Sequence, residues 1–541
     1  MPNSRLGCPG GNRFLPPDLT APGRASTTGE ATALIGGRIR SGRREAEALL
    51  IEDGRVSVVG SREEVLRARP TGAVTRDLVG RTAIPGLIDP HVHVLGLVLG
   101  RVGADLSGAA TLADLLERLR PGLSTPGDGP LLGRGWDQER FPGGRYPTAA
   151  DLDPLTRDRP VILYRHCHHA AVVNSAGLTA LGIDRRSPDP PGGRIGRTAD
   201  GTPNGLLFDN ALAPLWALAV PAVAREDGTL GRILTEATGL GLTAIGAMSC
   251  GPEDLDALDR QGRSGTTMPR VRAYLRWEHL PRLGQYRGWG DGDRRRLAGV
   301  KVVADGSFGA RTAWLSEPYA DAPGETGLSL ADDDALDEVL ETTRRAALTP
   351  AVHAIGDRAL TSVLRALGRV PQPRRPRVEH AALTPPSLVE ELKRIDPIVV
   401  VQPRFAESDT WLAARLGPER ARWTYAFRTL RDRGITLAGS SDAPIEPLDP
   451  WTGMRAAVGA PVREERLAED EAMELYTVPA AEALGLDGGG VLLPGAPADL
   501  VILSTSDVPA AIRLGSEAVD ETWIGGRPVY ARPAGPSALS R

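Results

Sequence analysis

The chain is 541 residues long, carries a formal net charge of −4, and is 41% hydrophobic and 24% charged. At roughly 150 residues per domain this length accommodates two to four domains, and the apolar content excludes a disordered chain. A near-balanced charge argues against nucleic acid as the main partner, and no apolar run reaches the roughly 18 residues that a membrane helix needs.

The first 30 residues hold five Pro and five Gly but no apolar h-region, so they read as a disordered leader rather than a signal peptide. From Ala31 to Thr82 short strand-like pieces alternate with turn signals at Gly36-Gly37, Asp53-Gly54 and Gly60, the pattern of a small antiparallel sheet. The same texture returns near the far end, which predicts one composite β-sandwich from residues 31–82 plus 485–532, with 533–541 as a flexible tail. Between them the pattern changes to eight apolar runs, at 82–94, 242–249, 270–277, 297–306, 349–356, 375–383, 397–403 and 435–442. Near-continuous Val/Ile/Leu/Ala runs are what parallel strands covered on both faces look like. Amphipathic stretches such as Ser387 to Ile395 separate them, so residues 83–484 are expected to form an α/β fold, a (β/α)8 TIM barrel. The interval 105–225 is too long for one crossover and is expected to be an insertion after the first barrel strand, lying over the barrel mouth.

Three scattered cysteines, Cys8, Cys167 and Cys250, exclude a disulfide scaffold and fit a reducing compartment, the cytoplasm. Cys250 reads as small core packing, and Gly488 to Gly490 as turns without the spacing of a phosphate loop. Of the 64 basic residues 62 are Arg, leaving Lys301 and Lys393 as the two lysines. A lysine that persists in such a chain marks a task that arginine performs badly. The histidines number eight. His91 and His93 stand two apart at the end of the first run, so on a strand both imidazoles project to one face, as two ligands of one metal ion do. Lys301, His353, His380 and Asp442 fall in the fourth, fifth, sixth and eighth runs. Groups at the C-terminal ends of different barrel strands converge on one mouth, and core strands are otherwise poor in ionisable residues because burying an unpaired one is costly.

Imidazole and carboxylate donors suit Zn2+ or a similar divalent ion, one or two per chain, and such an ion brings the pKa of bound water to about 7. Asp442 then sits where a carboxylate takes a proton during attack on a carbonyl and hands it to the leaving amine. A protonated lysine has no lone pair for a metal. Carbon dioxide converts its neutral amine to a carbamate with two oxygens, a reaction closed to arginine. The alternative for Lys301 is a structural ammonium paired with Asp305.

The segments PGLIDPHVH, VKVVADGSFGARTA, AVHAIGD, RVEHA and GSSDAPIEPLDP together resemble the motif set of the metal-dependent amidohydrolase superfamily. They are similar in particular to its amidohydrolase-3 branch, which includes N-substituted formamide deformylase-like enzymes. The resemblance spans about residues 31 to 531. It implies a TIM barrel with a composite sandwich and a metal site at His91, His93, Lys301, His353, His380 and Asp442, with a carboxylated Lys301 implied as well. Relatives read Asp-Gly-His where this chain has Cys167-His168-His169, so only His169 matches. His166 and His168 are not expected as ligands; His169 and Trp136 are candidates for the substrate pocket. The expected function is metal-dependent hydrolysis of a non-peptide C–N bond in a small amide or N-formyl substrate. A cyclic amidase or other carbonyl hydrolase on the same site, or a catalytically silent barrel scaffold, are the alternatives. No nucleic acid or membrane partner is expected; a homo-oligomer stays open.

Overall fold

The computed structural model describes residues 31–124, 129–223 and 226–533. The expected leader therefore lies outside the described residues, as does all but the first residue of the expected tail. Eight parallel strands form the central sheet: β1 (Leu87–Val92), β2 (Leu242–Cys250), β3 (Arg270–Arg276), β4 (Arg295–Val303), β5 (Thr349–Ala354), β6 (Arg377–His380), β7 (Ile398–Val401) and β8 (Thr436–Gly439). They follow one another in sequence order around the sheet. Each of the eight apolar runs overlaps one of these strands.

The sheet closes at its C-terminal end by chain beyond β8. A parallel bridge joins Val92 to Ala443; His93 N–H donates to Ala443 O at 2.8 Å, and Asp442 N–H donates to His91 O at 3.0 Å. Backbone pairing at the seam thus places the His-Val-His segment beside Asp442. The barrel interior holds Ile88, Ala244, Met248, Tyr274, Ala298, Ala351, Ile398 and Val400, plugged from below by Ala480, Ala481 and Leu484. Burial of each larger aliphatic side chain there stabilises the fold by about 2 kcal/mol.

The outer helices form for local reasons. In Asp333–Ala346, Asp332 caps the N-terminus by accepting from Ala335 N–H, two further aspartates occupy the first turn and two arginines the last, each favourable to the helix dipole. Leu336, Val339, Leu340 and Thr343 recur at helical spacing and form its buried face.

The two chain ends build a pair of sheets. A four-stranded sheet runs in the order Arg55–Gly60, Ala48–Glu52, Thr32–Ile35, Val74–Asp77. A six-stranded one runs Arg527–Ala531, Val519–Ile524, Leu500–Leu503, Thr82–Pro85, Arg38–Ser41, Arg44–Ala46. Leu34, Leu49 and Ile51 from one end share a core with Leu500, Ile502 and Trp523 from the other. One expectation needs correcting: the run 82–94 is not a single barrel strand. Thr82–Pro85 pairs with Leu500–Leu503 in the sandwich, and β1 begins after Gly86. A Cβ on Gly86 would lie 2.3 Å from Thr243 Oγ1, so glycine lets the chain pass from sandwich to barrel against β2.

The insertion between β1 and β2 carries its own six-stranded sheet, from Ala104–Asp105 to Pro203–Asp209. A separate core of Leu106, Leu119, Trp136, Val161, Leu163 and Phe208 holds it together.

Candidate active site

The ends of β1, β5, β6 and the turn after β8 bring His91, His93, His353, His380 and Asp442 together. Ring centroids lie 5.4 Å apart for His91 and His93, 5.2 Å for His91 and His380, and 4.5 Å for His353 and His380. Asp442 Oδ1 stands 3.3 Å from His91 Nε2 and 3.1 Å from His93 Nε2. One ligand atom from each of His91, His93 and Asp442 lies within 4.8 Å of the others. Three of the residues here, His380, Ala381 and Asp442, adopt left-handed backbone at φ of 71°, 43° and 56°, a strained conformation that clusters where geometry serves a site.

Three of the four imidazoles are oriented by partners away from Asp442. His91 Nδ1 bonds Glu379 Oε2 at 2.6 Å, and Glu379 is gripped by Arg377 at 2.8 and 3.0 Å. Arg377 in turn donates to Pro90 O at 2.8 Å. Burial pushes the Glu379 carboxyl up, but Arg377 and His91 outweigh it and hold the group well below the usual carboxylate range. His380 Nδ1 bonds Gln402 Oε1 at 2.7 Å, and the Gln402 amide donates to Ser440 Oγ at 2.9 Å. His353 Nε2 faces Gly306 O at 3.2 Å and Asp305 Oδ1 at 3.4 Å. Such partners select the ring tautomer that a metal ligand needs.

Electrostatics at the centre call for a cation. Burial and the nearby Lys301 charge bring His91 down to about 4, so its ring is neutral at pH 7. With Nδ1–H given to Glu379, Nε2 presents a lone pair. It faces Asp442 Oδ1, whose carboxyl lies well below the usual carboxylate range: burial raises it, but the neighbouring histidines, His93 at 3.1 Å among them, outweigh this. Two lone pairs 3.3 Å apart repel unless a cation stands between them. His91 Nε2, Asp442 Oδ1 and Lys301 Nζ are all buried without a hydrogen-bond partner. The donor set, imidazoles plus carboxylate, and these three orphaned atoms fit a divalent ion.

Lys301 on β4 is 2% exposed. Burial lowers it to about 8, with Glu379 and Asp442 pulling the other way. Asp305, the alternative partner, is engaged elsewhere: it accepts from Trp314, Ile355 and Gly356 N–H at 2.8–2.9 Å. The ammonium–Asp305 pairing is absent among the described residues.

A cleft opens over the histidines, lined by Phe308, Phe405, Trp411 and Tyr425 together with His353 and His380. His169 from the insertion lines it. Burial disfavours charge on that ring, but its 2.7 Å bond to Asp209 outweighs burial and lifts it to about 9. Trp136 does not reach the cleft: it is fully buried in the insertion core, and its indole N–H donates to Leu163 O at 2.9 Å. The pocket expectation for Trp136 therefore fails, because the ring is needed to pack the insertion sheet. His166 also lines the cleft, while His168 is half-buried and stacks on Tyr164 at 5.6 Å. Cys250 is fully buried packing.

Sequence reasoning missed Glu379, Arg377 and Gln402. The signal was present for two of them: Arg377 and Glu379 are charges inside an apolar strand run, which is affordable only as a pair.

A sequence profile described as the amidohydrolase family matches residues 74–530. A putative amidohydrolase, YtcJ of Bacillus subtilis, is 35% identical over 524 residues, covering 90% of this chain and 96% of the relative. The N-substituted formamide deformylase of Arthrobacter pascens is 24% identical, covering 90% and 95%. Among solved structures, an uncharacterized metal-dependent hydrolase from Pyrococcus furiosus superposes with a TM-score of 0.72 at 34% identity, covering 88% of this chain and 99% of its own.

Proposed function

The chain belongs to the amidohydrolase family, and from that premise we propose that it is a divalent-metal-dependent hydrolase of a small amide or N-formyl compound. The observation that carries this reading is a set of three buried polar atoms without hydrogen-bond partners, His91 Nε2, Asp442 Oδ1 and Lys301 Nζ; the first two face each other at 3.3 Å, and Asp442 lines the cleft. His91, His93, His353, His380, Lys301 and Asp442 are the residues that would hold one or two ions, with Zn2+ favoured by the nitrogen and oxygen donors. A divalent ion there supplies Lewis acidity toward the carbonyl and the attacking water.

The protein's own groups do the rest. Asp442 accepts the proton that water loses as its oxygen attacks the carbonyl carbon, then delivers it to the amine nitrogen as the C–N bond breaks. Glu379 and Gln402 keep the His91 and His380 rings oriented. A fraction of Lys301 is neutral at pH 7; that amine attacks carbon dioxide, forming an N–C bond and releasing one proton, and the carbamate presents two oxygens at the centre. His169 faces the cleft as a cation and a hydrogen-bond donor for the substrate. Two free thiols, Cys167 and Cys250, support a reducing compartment, the cytoplasm.

The test is turnover by metal-loaded protein on a panel of N-formyl, N-acyl and cyclic amides, with metal counted by elemental analysis. Asp442→Asn should lower turnover by about 10²–10⁴-fold, and chelation should abolish it. Full hydrolysis by metal-free protein would overturn the reading; preference for the cyclic members would redirect it, and no turnover at all would leave a silent scaffold.

A further inference from the structure

The charged groups around the cleft are almost all matched. Arg165 meets Asp137 at 2.6 Å, His169 meets Asp209 at 2.7 Å, and Glu446 beside the cleft has Arg404 at 3.4 Å. Of the two carboxylates lining the cleft, Asp442 faces the histidines. The other, Asp409, has no ion-pair partner among the described residues; its side chain takes one bond, from the Tyr425 hydroxyl to Oδ2. Asp409 follows Phe405 by one helical turn, and Phe405 stacks on His380 at 6.2 Å. The lone carboxylate is therefore set one turn away from the reacting centre, on the same wall. Phe405, Trp411 and Tyr425 line the same cleft, one face of Phe405 lying against His380 and one face of Trp411 under Arg415.

An aromatic-lined cleft with a carboxylate that has no ion pair of its own is an arrangement that receives an organic cation: ring quadrupoles attract positive charge, and the carboxylate supplies the ion pair. Building on the amidohydrolase reading above, we infer that Asp409 is a specificity-determining residue that selects amides bearing an ammonium group a few atoms from the scissile bond. His169 is neutralised by its own aspartate, and Arg165 is paired with Asp137 but still draws on the Asp409 carboxylate without an ion pair to it. Burial, with Glu446 and Asp137 adding to it against the pull of Tyr425 and Arg165, lifts Asp409 to about 7. An ammonium beside it would relieve that burden and hold the carboxylate ionised.

The experiment compares N-acetylputrescine with N-pentylacetamide, its neutral analogue of equal length, on metal-loaded enzyme. The expected ratio of kcat/KM is tenfold or more in favour of the cationic amide, carried mostly in KM. In Asp409→Asn that ratio should fall to near one. A wild-type ratio of one or less, or a ratio unchanged in a folded Asp409→Asn, overturns the inference and leaves the hydrolase reading intact. A second arm needs neither turnover nor a variant: calorimetric titration of wild type with butylammonium against butanol should show tenfold tighter binding of the cation. Equal binding overturns the inference. Turnover of neither amide while butylammonium still binds would instead count against the hydrolase reading.

Discussion

Lys301 separates a chemical role for lysine from a merely cationic one. Arginine would keep the positive charge but forms no carbamate, and its planar head does not fit a buried point-charge site. Lys301→Arg should therefore lose most bound metal and activity, and Lys301→Ala should regain part of both when a short carboxylate is supplied with metal. Elemental analysis beside turnover checks this; unchanged metal and activity in Lys301→Arg would rule out the carbamate. His169 is the second informative residue. Its pKa in the fold, about 9, lies above the ordinary 6.5 because Asp209 outweighs burial. The pair's contribution to stability is fully present below about pH 6.5 and is lost as pH rises toward 9, up to roughly 3 kcal/mol in all. Melting measured from pH 6 to 9 should fall in wild type, and fall less steeply in His169→Gln.

At the level of elements, the seam between β1 and β8 and the joint at Gly86 position the site. Because Cβ on residue 86 would strike Thr243 Oγ1 at 2.3 Å, Gly86→Ala must displace β2 or β1. Overpacking of this kind costs about 1–3 kcal/mol. Displacement of β1, which carries His91 and leads into His93, should lower metal affinity along with the melting temperature. Calorimetric melting with metal titration tests both; a variant as stable and as tight as wild type would show that the joint has slack. The eight barrel strands were legible in the sequence because burial on both faces leaves an unbroken apolar run. The joint was not. Residues 82–94 read as one apolar stretch, since a sandwich strand and a barrel strand in series look alike until hydrogen-bond partners are known.

For the whole molecule, the strand Leu500–Leu503 links the two chain ends. It pairs with Thr82–Pro85 on one side and Val519–Ile524 on the other, and Leu500 and Ile502 are fully buried. Truncation after Leu484 removes it, along with Trp523, from a core shared with Leu34 and Leu49. The shortened chain should aggregate or melt well below the full one, as sedimentation and thermal denaturation would show; equal solubility and stability would contradict the shared core. What the sequence determined by itself was whatever a local rule carries: strand periodicity, the i, i+2 geometry of His91 and His93, and the anomaly of ionisable side chains in apolar runs. Tertiary structure alone decided the rest. Glu379 and Arg377 acquire a role only because strand order sets β6 where His91 can reach it. Trp136 leaves the pocket because the insertion sheet needs a core of its own, and Asp409 becomes an unmatched charge only once Arg165, His169 and Glu446 have found partners. Long-range pairing is a property of which elements meet, and no window of neighbouring residues encodes it.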